Sequence, residues 1–366
     1  MQTNFRTLAN RYISDLTPYQ PGKPIEEVER ELGISSIIKL ASNENPLGAS
    51  PTAIAAAQKA LQKSHIYPDG GCYELKQKLA RFLNVLPTQL TIGNGSENIL
   101  EMIVKSYLTQ GSSAVISQYA FLTIPLLIQS YGATIISVPA INFSHDIHAM
   151  IKAVQSNTRI LFIVNPNNPT GTFTNATDLK FLLESIPPTI LVVLDEAYHE
   201  YIDRDDYPNS LALLKQYPNL IITRTFSKAY GLAGLRLGYA ISSDEIADIL
   251  NRARLPFNIN SIAAAAGEAA LHDQNHIQKS ILLNSEGMQQ LLSELINLNI
   301  HIISSLGNFI TIDVKTSATD IYQKLLYQGI IVRPLNAYDM PSHIRVTIGT
   351  AQENERFLKS LREVLS

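Results

Sequence analysis

The sequence predicts an α/β fold, with a large domain built on a mainly parallel central sheet and a smaller α+β domain. Continuous apolar runs at residues 160–164, 190–194 and 220–223 have the composition of strands that are buried on both faces. Helical segments separate these runs, and such alternation is typical of parallel sheets with crossover helices. Beyond residue 256 the pattern changes, and an alternating strand at 343–349 indicates the second domain.

The length and composition are those of a globular protein with a large core. The chain has 366 residues, of which 45% are hydrophobic and 17% charged. Its net charge of −3 gives no sign of binding to nucleic acid or to an acidic membrane. One cysteine, Cys72, excludes an intramolecular disulfide, and no apolar run approaches the ~20 residues of a membrane helix. We therefore expect a cytoplasmic protein.

The first candidate site element is a glycine-rich turn that joins a short strand at 90–92 to an apolar-periodic helix. Residues 93–98 read GNGSEN. Free N–H groups and the helix dipole converge at such a turn, which favours an anion beside Gly95 and Ser96. Many α/β turns have this composition, so the turn alone is a weak signal.

The next strand ends in an aromatic pair, because residues 117–121 read SQYAF. A flat heteroaromatic ligand needs a ring stacked on its face, and we expect Tyr119 to supply it. The alternative is a core aromatic at a strand end.

Two further strands end in polar motifs. Residues 165–171 read NPNNPTG, and the prolines hold this turn rigid, so that the Asn168 amide can be aimed at a ligand. The strand at 190–194 runs into DEAY, which places the Asp195 carboxylate where α/β sheets bind ligands. An aspartate at this point is otherwise often a helix cap.

The strongest motif is RTFSKAYGLAGLRLGY at residues 224–239, in which Lys228 follows a buried strand. A lysine that forms a Schiff base needs partial desolvation and cationic neighbours, which lower its pKa. The hydroxyls of Thr225 and Ser227, together with Arg236, suit a phosphate. An isolated Ser-Lys pair would be read as a surface turn, but the other motifs supply the remaining parts of one cofactor site.

Together these motifs resemble those of the fold-type I pyridoxal 5'-phosphate (PLP) enzymes, in particular the histidinol-phosphate aminotransferase branch. The resemblance extends from about residue 16 to residue 349. It implies the PLP-dependent transferase fold type I, a homodimer, and a PLP cofactor attached to Lys228, which also acts as general acid and base.

The resemblance also assigns the remaining cofactor contacts. Asp195 is expected at the pyridine nitrogen, and Asn168 and Tyr198 at the phenolic oxygen. The other implied contacts are the stacking ring of Tyr119 and a phosphate group held by Gly95, Ser96, Glu97, Thr225, Ser227, Arg236 and Tyr67 of the partner subunit. The family usually has Asp then Glu where this chain has Glu97 and Asn98, a change that leaves backbone N–H contacts in place.

The substrate residues that the resemblance implies are Tyr19, Asn168, Arg333 and Arg345. The implied reaction converts L-histidinol phosphate and 2-oxoglutarate to imidazole-acetol phosphate and L-glutamate, a step of histidine biosynthesis. Two alternatives keep the cofactor: an aromatic-amino-acid aminotransferase and a PLP decarboxylase of a phosphorylated amino acid. A third, the effector domain of a transcription regulator, would need a DNA-binding module, for which the sequence before the large domain leaves no room.

The expected domain organisation has three parts. Residues 1–36 form an N-terminal arm that is part of the small domain. Residues 37–255 form the large PLP-binding domain, opened by a strand at 37–40, and residues 256–366 form the small C-terminal domain. We expect no metal site, because the nearest candidates, His145 and His148, have no obvious third ligand.

Overall fold

The computed structural model describes residues 4–365. Its helices are α1 (Arg11–Ser14), α2 (Ile25–Leu32), α3 (Pro51–Leu61), α4 (Tyr73–Leu83), α5 (Gly95–Tyr107), α6 (Thr123–Ser130), α7 (Ile147–Lys152), α8 (Ala176–Ser185), α9 (Ser210–Leu214), α10 (Asp244–Ala253), α11 (Ser261–His272), α12 (Gln274–Asn297), α13 (Ala318–Tyr327) and α14 (Ala351–Leu365). Its strands are β1 (Ile38–Lys39), β2 (Leu90–Gly93), β3 (Ser113–Ser117), β4 (Thr134–Val138), β5 (Thr158–Val164), β6 (Leu191–Asp195), β7 (Leu220–Thr225), β8 (Gly238–Ile241), β9 (His301–Ile303), β10 (Phe309–Asp313), β11 (Ile330–Ile331), β12 (Arg333–Pro334) and β13 (His343–Thr347).

Helix ends follow local chemistry. The Ser50 hydroxyl accepts a hydrogen bond from the backbone N–H of Ala53 and caps α3, which has Pro51 at its first position. Gly33 ends α2 in the left-handed conformation, with φ of 65°. Both boundaries are therefore set by residues that are more favourable at a helix end than in a helix interior.

The predicted central sheet is present, with seven strands in the order β2-β8-β7-β6-β5-β3-β4. Strands β7, β6, β5, β3 and β4 are parallel, whereas β8 runs antiparallel to both of its neighbours. The prediction of a mainly parallel sheet is thus confirmed. Strands β6 and β7 are buried along their whole length, which explains their continuous apolar sequences.

Helices cover both faces of this sheet. One core contains apolar residues of α5, α6 and α10, and the other contains residues of α4, α7, α8 and α11. Alternate residues of β5 point into the two cores: Phe162 lies in the first, and Leu161 and Ile163 lie in the second. The carboxyl ends of β5, β6 and β7 therefore meet at one edge of a rigid three-layer unit.

A second sheet has the antiparallel order β12-β13-β10-β9. Its apolar face packs against α12, α13 and α14, in a core that includes Ile310, Ile344 and Phe357. This is the predicted smaller α+β unit.

Two elements pack differently from the sequence expectation. The strand that we expected to open the large domain, β1, pairs in parallel with β11, and Leu40 lies in the core of the smaller unit. Helix α11, expected in the C-terminal domain, contributes Ala263 and Ala266 to the core of the large sheet. A two-residue strand and an alanine-rich helix carry no sequence signal for the partner they choose. We propose that the large domain runs from about residue 41 to residue 272.

Within the described residues, no helix has the length and apolar character required to cross a membrane.

Strand β8 lies in direct contact with the glycine-rich turn at the start of α5. A Cβ atom on Gly238 would lie 2.5 Å from the backbone N of Ser96 and 2.7 Å from the backbone C of Gly95. Real Cβ atoms do not approach backbone atoms so closely, so this contact requires a glycine. The close approach fixes the turn against the sheet.

We therefore predict that Gly238→Ala destabilises the protein, by about 2 kcal/mol, because the turn must move away from β8. Chemical unfolding of the cofactor-free protein measures this change. Gly234→Ala is the matched control, since a Cβ there meets no atom within 4 Å. Equal stability of the two variants would contradict this account of the contact.

Candidate active site

A cavity of about 370 Å³ lies at the carboxyl ends of β5, β6 and β7. The predicted residues that line it are Tyr19, Ser96, Glu97, Asn168, Asp195, Tyr198, Thr225, Ser227, Lys228, Arg236, Arg333 and Arg345. They come from both sheets, so the cavity lies between the two units. Side chains that are far apart in sequence therefore meet in one place, where α/β sheets bind ligands.

Lys228 lies directly beyond β7 and points into this cavity. Its Nζ donates a hydrogen bond to the Ser42 carbonyl oxygen at 3.1 Å and lies 5.7 Å from the centre of the Tyr198 ring. Burial, together with the smaller effect of the nearby Arg345 guanidinium, lowers the pKa of Lys228 to about 8, although Glu44 acts in the opposite direction. A substantial fraction of this amine is therefore neutral and nucleophilic near neutral pH.

Asp195 is the last residue of β6 and is 4% exposed. Its Oδ1 accepts a hydrogen bond from the Thr223 hydroxyl at 2.9 Å. Burial raises the pKa of Asp195 to about 6, although the Thr223 hydrogen bond acts in the opposite direction. A buried carboxylate with so little compensation is suited to a cationic N–H partner in the cavity.

A buried ion pair lies directly behind Asp195. The Nε and Nη2 atoms of Arg224 donate to Glu196 Oε2 at 3.0 and 2.8 Å, and the Ser210 hydroxyl donates to the same oxygen at 2.9 Å. The two side chains are 5% and 0% exposed. Because Glu196 follows β6 and Arg224 lies near the end of β7, this pair ties together the two strands that carry Asp195 and Lys228. Sequence analysis gave neither residue a role.

The opposite wall is cationic. Arg345 donates from Nη1 to the side-chain oxygen of Asn168 and from Nη2 to the Ala41 carbonyl oxygen at 2.7 Å. Arg333 and Arg345 are directly opposite each other in the pairing of β12 with β13. The Arg333 guanidinium lies 5.3 Å from the centre of the Tyr19 ring. The three predicted side chains Tyr19, Arg333 and Arg345 are thus brought together.

The glycine-rich turn and the lysine loop form a polar cradle at another part of the cavity. Arg236 Nη2 contacts Glu97 Oε2 at 3.0 Å, and the Thr225 hydroxyl donates to the Ser227 hydroxyl at 3.0 Å. A Cβ on Gly95, which has φ of 80°, would lie 2.8 Å from Arg236 Nη2. A glycine at this position therefore lets the guanidinium approach the turn.

Tyr119 lies beside the turn at residues 165–171, because its carbonyl oxygen accepts a hydrogen bond from the Asn167 amide at 3.1 Å. Its ring packs against Phe143, with ring centres 5.8 Å apart, and is not among the cavity-lining residues, whereas Phe121 lines the cavity. The motif at 117–121 contains two aromatic residues, and composition alone does not tell which of them turns inward. Tyr119 therefore stays a proposal for the stacking ring, and Phe121 is the alternative.

Tyr67 lies outside the cavity of its own chain. It is 80% exposed and its ring stacks on Phe257, with centres 4.8 Å apart. A single chain does not bring this predicted residue to the site.

Sequence analysis missed the contribution of residues 41–44. Ser42, Asn43 and Glu44 line the cavity, and Asn43 donates from Nδ2 to the Tyr198 hydroxyl at 2.8 Å. The available signal was a run of polar residues directly after a predicted strand. The same positional rule that identified Asp195 applies to this run.

Within residues 4–365, no group of three or more His, Cys, Asp or Glu side chains is arranged to bind a metal ion.

The fold and this cavity define the class of the protein. The chain belongs to the aminotransferase class I and II family, whose sequence profile matches residues 35–361.

Full-length relatives narrow the comparison. The chain is 50% identical over 361 residues to histidinol-phosphate aminotransferase 1 of Nitrosococcus oceani, covering 99% of this chain and 98% of that protein. It is also 50% identical over 368 residues to histidinol-phosphate aminotransferase 2 of Pseudomonas fluorescens, covering all of both chains. The crystal structure of histidinol-phosphate aminotransferase from Sinorhizobium meliloti in complex with PLP matches with a TM-score of 0.90 and 29% identity, covering 98% of this chain and 97% of that one.

The residues of the cavity fit PLP, the cofactor of this family. The amine of Lys228 can bind its aldehyde, and the Asp195 carboxylate can face its pyridine nitrogen. The cradle of Gly95 and Arg236 offers backbone N–H groups and a guanidinium to its phosphate. These residues match three parts of the cofactor: its aldehyde, its pyridine nitrogen and its phosphate.

The pKa of Lys228 gives a prediction for the cofactor-free protein. Acetylation of Lys228 by acetic anhydride should rise with pH with a midpoint near its pKa of about 8, because only the neutral amine reacts. Arg345→Gln should move the midpoint to higher pH, since removal of a neighbouring cation favours the ammonium form. Peptide mass spectrometry measures the modification.

Arg333→Gln is the matched control for this experiment, because Arg333 lines the same cavity but is not among the main charges that shift the pKa of Lys228. Its midpoint should equal that of the wild type. A midpoint for Arg345→Gln that stays unchanged or falls would show that the Arg345 charge does not set the amine's pKa.

Proposed function

We propose that this protein is a histidinol-phosphate aminotransferase, which transfers the amino group of L-histidinol phosphate to 2-oxoglutarate and forms imidazole-acetol phosphate and L-glutamate. The relatives at 50% identity over the whole chain carry this activity in their names. The reaction is a step of histidine biosynthesis, and we place the enzyme in the cytoplasm.

The paired arginines of β12 and β13 are the structural feature that most supports a phosphorylated substrate. Arg333 and Arg345 are directly opposite in register and both line the cavity. Like charges directly opposite on a sheet destabilise it, so the pair is explained by an anion that binds between them. Glutamate offers one α-carboxylate, which a single guanidinium can hold in a bidentate manner. A phosphate ester has a larger charge and uses both arginines and the Tyr19 hydroxyl.

The chemistry divides among residues of both units. PLP, when bound, supplies an electron sink for the bond that breaks at the substrate α-carbon. We propose that the Lys228 Nζ takes the proton from that carbon and would deliver it to the carbon that was the cofactor's aldehyde, so that the amino group can stay with the cofactor when the keto product leaves. The Asp195 carboxylate keeps the proton on the pyridine nitrogen. Asn168 and Tyr198 would contact the phenolic oxygen, and the Tyr119 ring would cover one face of the cofactor.

The phosphate of the cofactor is assigned to the polar cradle. The proposed contacts are Gly95, Ser96, Glu97 through its backbone N–H, Thr225, Ser227 and Arg236. The Glu97 side chain pairs with Arg236 instead, at 3.0 Å.

We also propose a homodimer in which Tyr67 completes the cradle of the other subunit. The support is the exposed ring pair of Tyr67 and Phe257, which lies on the surface beside exposed Ile66 and Leu255. An apolar surface of this kind is typical of a subunit interface.

The proposed reaction predicts a strong preference for the phosphorylated donor. L-Histidinol is the matched control substrate, because it lacks only the phosphate. We expect kcat/KM for L-histidinol phosphate to exceed that for L-histidinol by about 100-fold or more, since two charge-assisted contacts are lost. Coupled assay of L-glutamate measures both. A preference for phenylalanine would support an aromatic aminotransferase, and CO₂ release would support a decarboxylase.

The arginine pair predicts unequal effects on the two half-reactions. Arg333→Ala should slow the histidinol-phosphate half-reaction by about 30-fold and the glutamate half-reaction by less than about threefold, because only the phosphate uses Arg333. Single-turnover kinetics separate the two. Equal losses would refute this division between Arg333 and Arg345.

The proposed dimer predicts complementation between a Lys228 variant and a Tyr67 variant when PLP is limiting. Lys228→Ala should abolish transamination, and Tyr67→Phe should weaken PLP binding by about tenfold, because a hydroxyl donor to the phosphate is lost. A heterodimer of the two variants has one site with both residues intact, so mixing and refolding them should raise activity at limiting PLP above that of either variant alone. If mixing gives no such increase, although a dimer forms, Tyr67 does not serve the partner's site.

A further inference from the structure

The position of Asn43 is fixed by hydrogen bonds to its main chain. It is 1% exposed and has φ of 55°, a conformation that asparagine tolerates better than most residues. Its backbone N–H donates to the Thr347 hydroxyl at 2.9 Å, and its carbonyl oxygen accepts from the Asn308 amide at 3.0 Å. The residue is therefore held between the two units without use of its side-chain nitrogen.

The orientation of the Asn43 amide follows from its neighbours. The Thr347 hydroxyl oxygen already accepts from the Asn43 N–H, so its own proton goes to Asn43 Oδ1, at 3.3 Å. That leaves Nδ2 facing the Tyr198 hydroxyl at 2.8 Å. In the reverse orientation the Thr347 hydroxyl would receive two donors and lose an acceptor for its proton. The Asn43 amide is thus a donor to Tyr198.

This bond decides where the single hydroxyl proton of Tyr198 goes. The oxygen of Tyr198 accepts from Asn43, and no protein acceptor within residues 4–365 takes its proton. Tyr198 is 2% exposed and lines the cavity. Its ring is held at one side by Phe309, with ring centres 5.2 Å apart in an edge-to-face arrangement. The remaining direction for the O–H bond is into the cavity.

We propose that Asn43 is a positioning residue that makes the Tyr198 hydroxyl an obligatory hydrogen-bond donor to the phenolic oxygen of the cofactor. The inference rests on the proposed function, because it requires PLP in the cavity. A donor at that oxygen stabilises its anion and so lowers the pH at which the visible absorption of the bound cofactor titrates. Without the Asn43 amide, the Tyr198 hydroxyl can rotate and accept instead of donate.

The test is a pH titration of the absorption spectrum of the PLP-loaded protein. Asn43→Gly removes the amide and still tolerates the backbone conformation. Asn43→Asp keeps the shape and the acceptor for Thr347 but offers no donor. Both should move the midpoint to higher pH, by roughly one pH unit, as expected for loss of one hydrogen bond to the charged form.

A Tyr198→Phe background separates a positioning role from a general structural one. If Asn43 acts through the hydroxyl, neither substitution should move the midpoint further once the hydroxyl is gone. Asn45→Ala is the matched control: Asn45 is a nearby buried amide in the same segment, which donates to the Ala229 carbonyl and to Ser280 rather than to Tyr198. It should lower thermal stability and leave the midpoint in place.

Two outcomes would overturn the inference: an unchanged midpoint in both Asn43 variants, or equal shifts with and without the Tyr198 hydroxyl. Failure of the proposed function looks different, because the wild type would then show no visible band that depends on Lys228. A shift caused only by the Asn43→Asp charge would persist in the Tyr198→Phe background and would be absent from Asn43→Gly.

Discussion

The site depends on the buried ion pair of Glu196 and Arg224, which sets the relative position of β6 and β7. The pair is inaccessible to solvent, and a second donor, Ser210, shares the same carboxylate oxygen. Removal of either partner would leave a buried charge without compensation, a loss of about 3–5 kcal/mol. Asp195 and Lys228 differ in chemistry but share this support, so their separation is fixed by a contact that neither of them makes. The interaction that holds these two side chains in place thus lies outside the cavity, between the strands that carry them.

The smaller unit completes the cavity with a cationic side chain that a ligand can contact directly, unlike the buried Glu196–Arg224 pair. Arg345 donates hydrogen bonds to the Asn168 side chain and to the Ala41 carbonyl oxygen. An anion that enters the cavity therefore competes for a guanidinium that is already hydrogen-bonded. Residues 41–44 connect the two units, because Ser42 holds Lys228 and Asn43 holds Tyr198. The large sheet therefore carries the reactive groups Asp195 and Lys228, and the small sheet carries the arginines that can bind an anionic substrate.

Much of this arrangement could be predicted because it follows from position along strands. Asp195, Asn168 and Lys228 each come directly after a continuous apolar run, and parallel strands bring such positions to one edge. The rest depends on which way a side chain turns or which sheet a short segment joins. The motif at 117–121 contains both Tyr119 and Phe121, and its composition does not tell which ring faces the ligand. The role of Asn43 depends on a hydroxyl of Thr347 at the other end of the chain, which no local pattern contains.

The pairing of β1 with β11 has a consequence for synthesis of the protein. Ile38 pairs with Ile330, and the backbone N–H of Thr347 donates to the carbonyl oxygen of Leu40. Residues 38–40 are therefore synthesised long before residues 330 and 347, with which they form these contacts. Until then the segment that holds Lys228 and Tyr198 has no fixed place, although the central sheet is already complete. The last β-strand therefore acts on the cavity twice: it carries Arg345, and it holds the segment that contacts Lys228 and Tyr198.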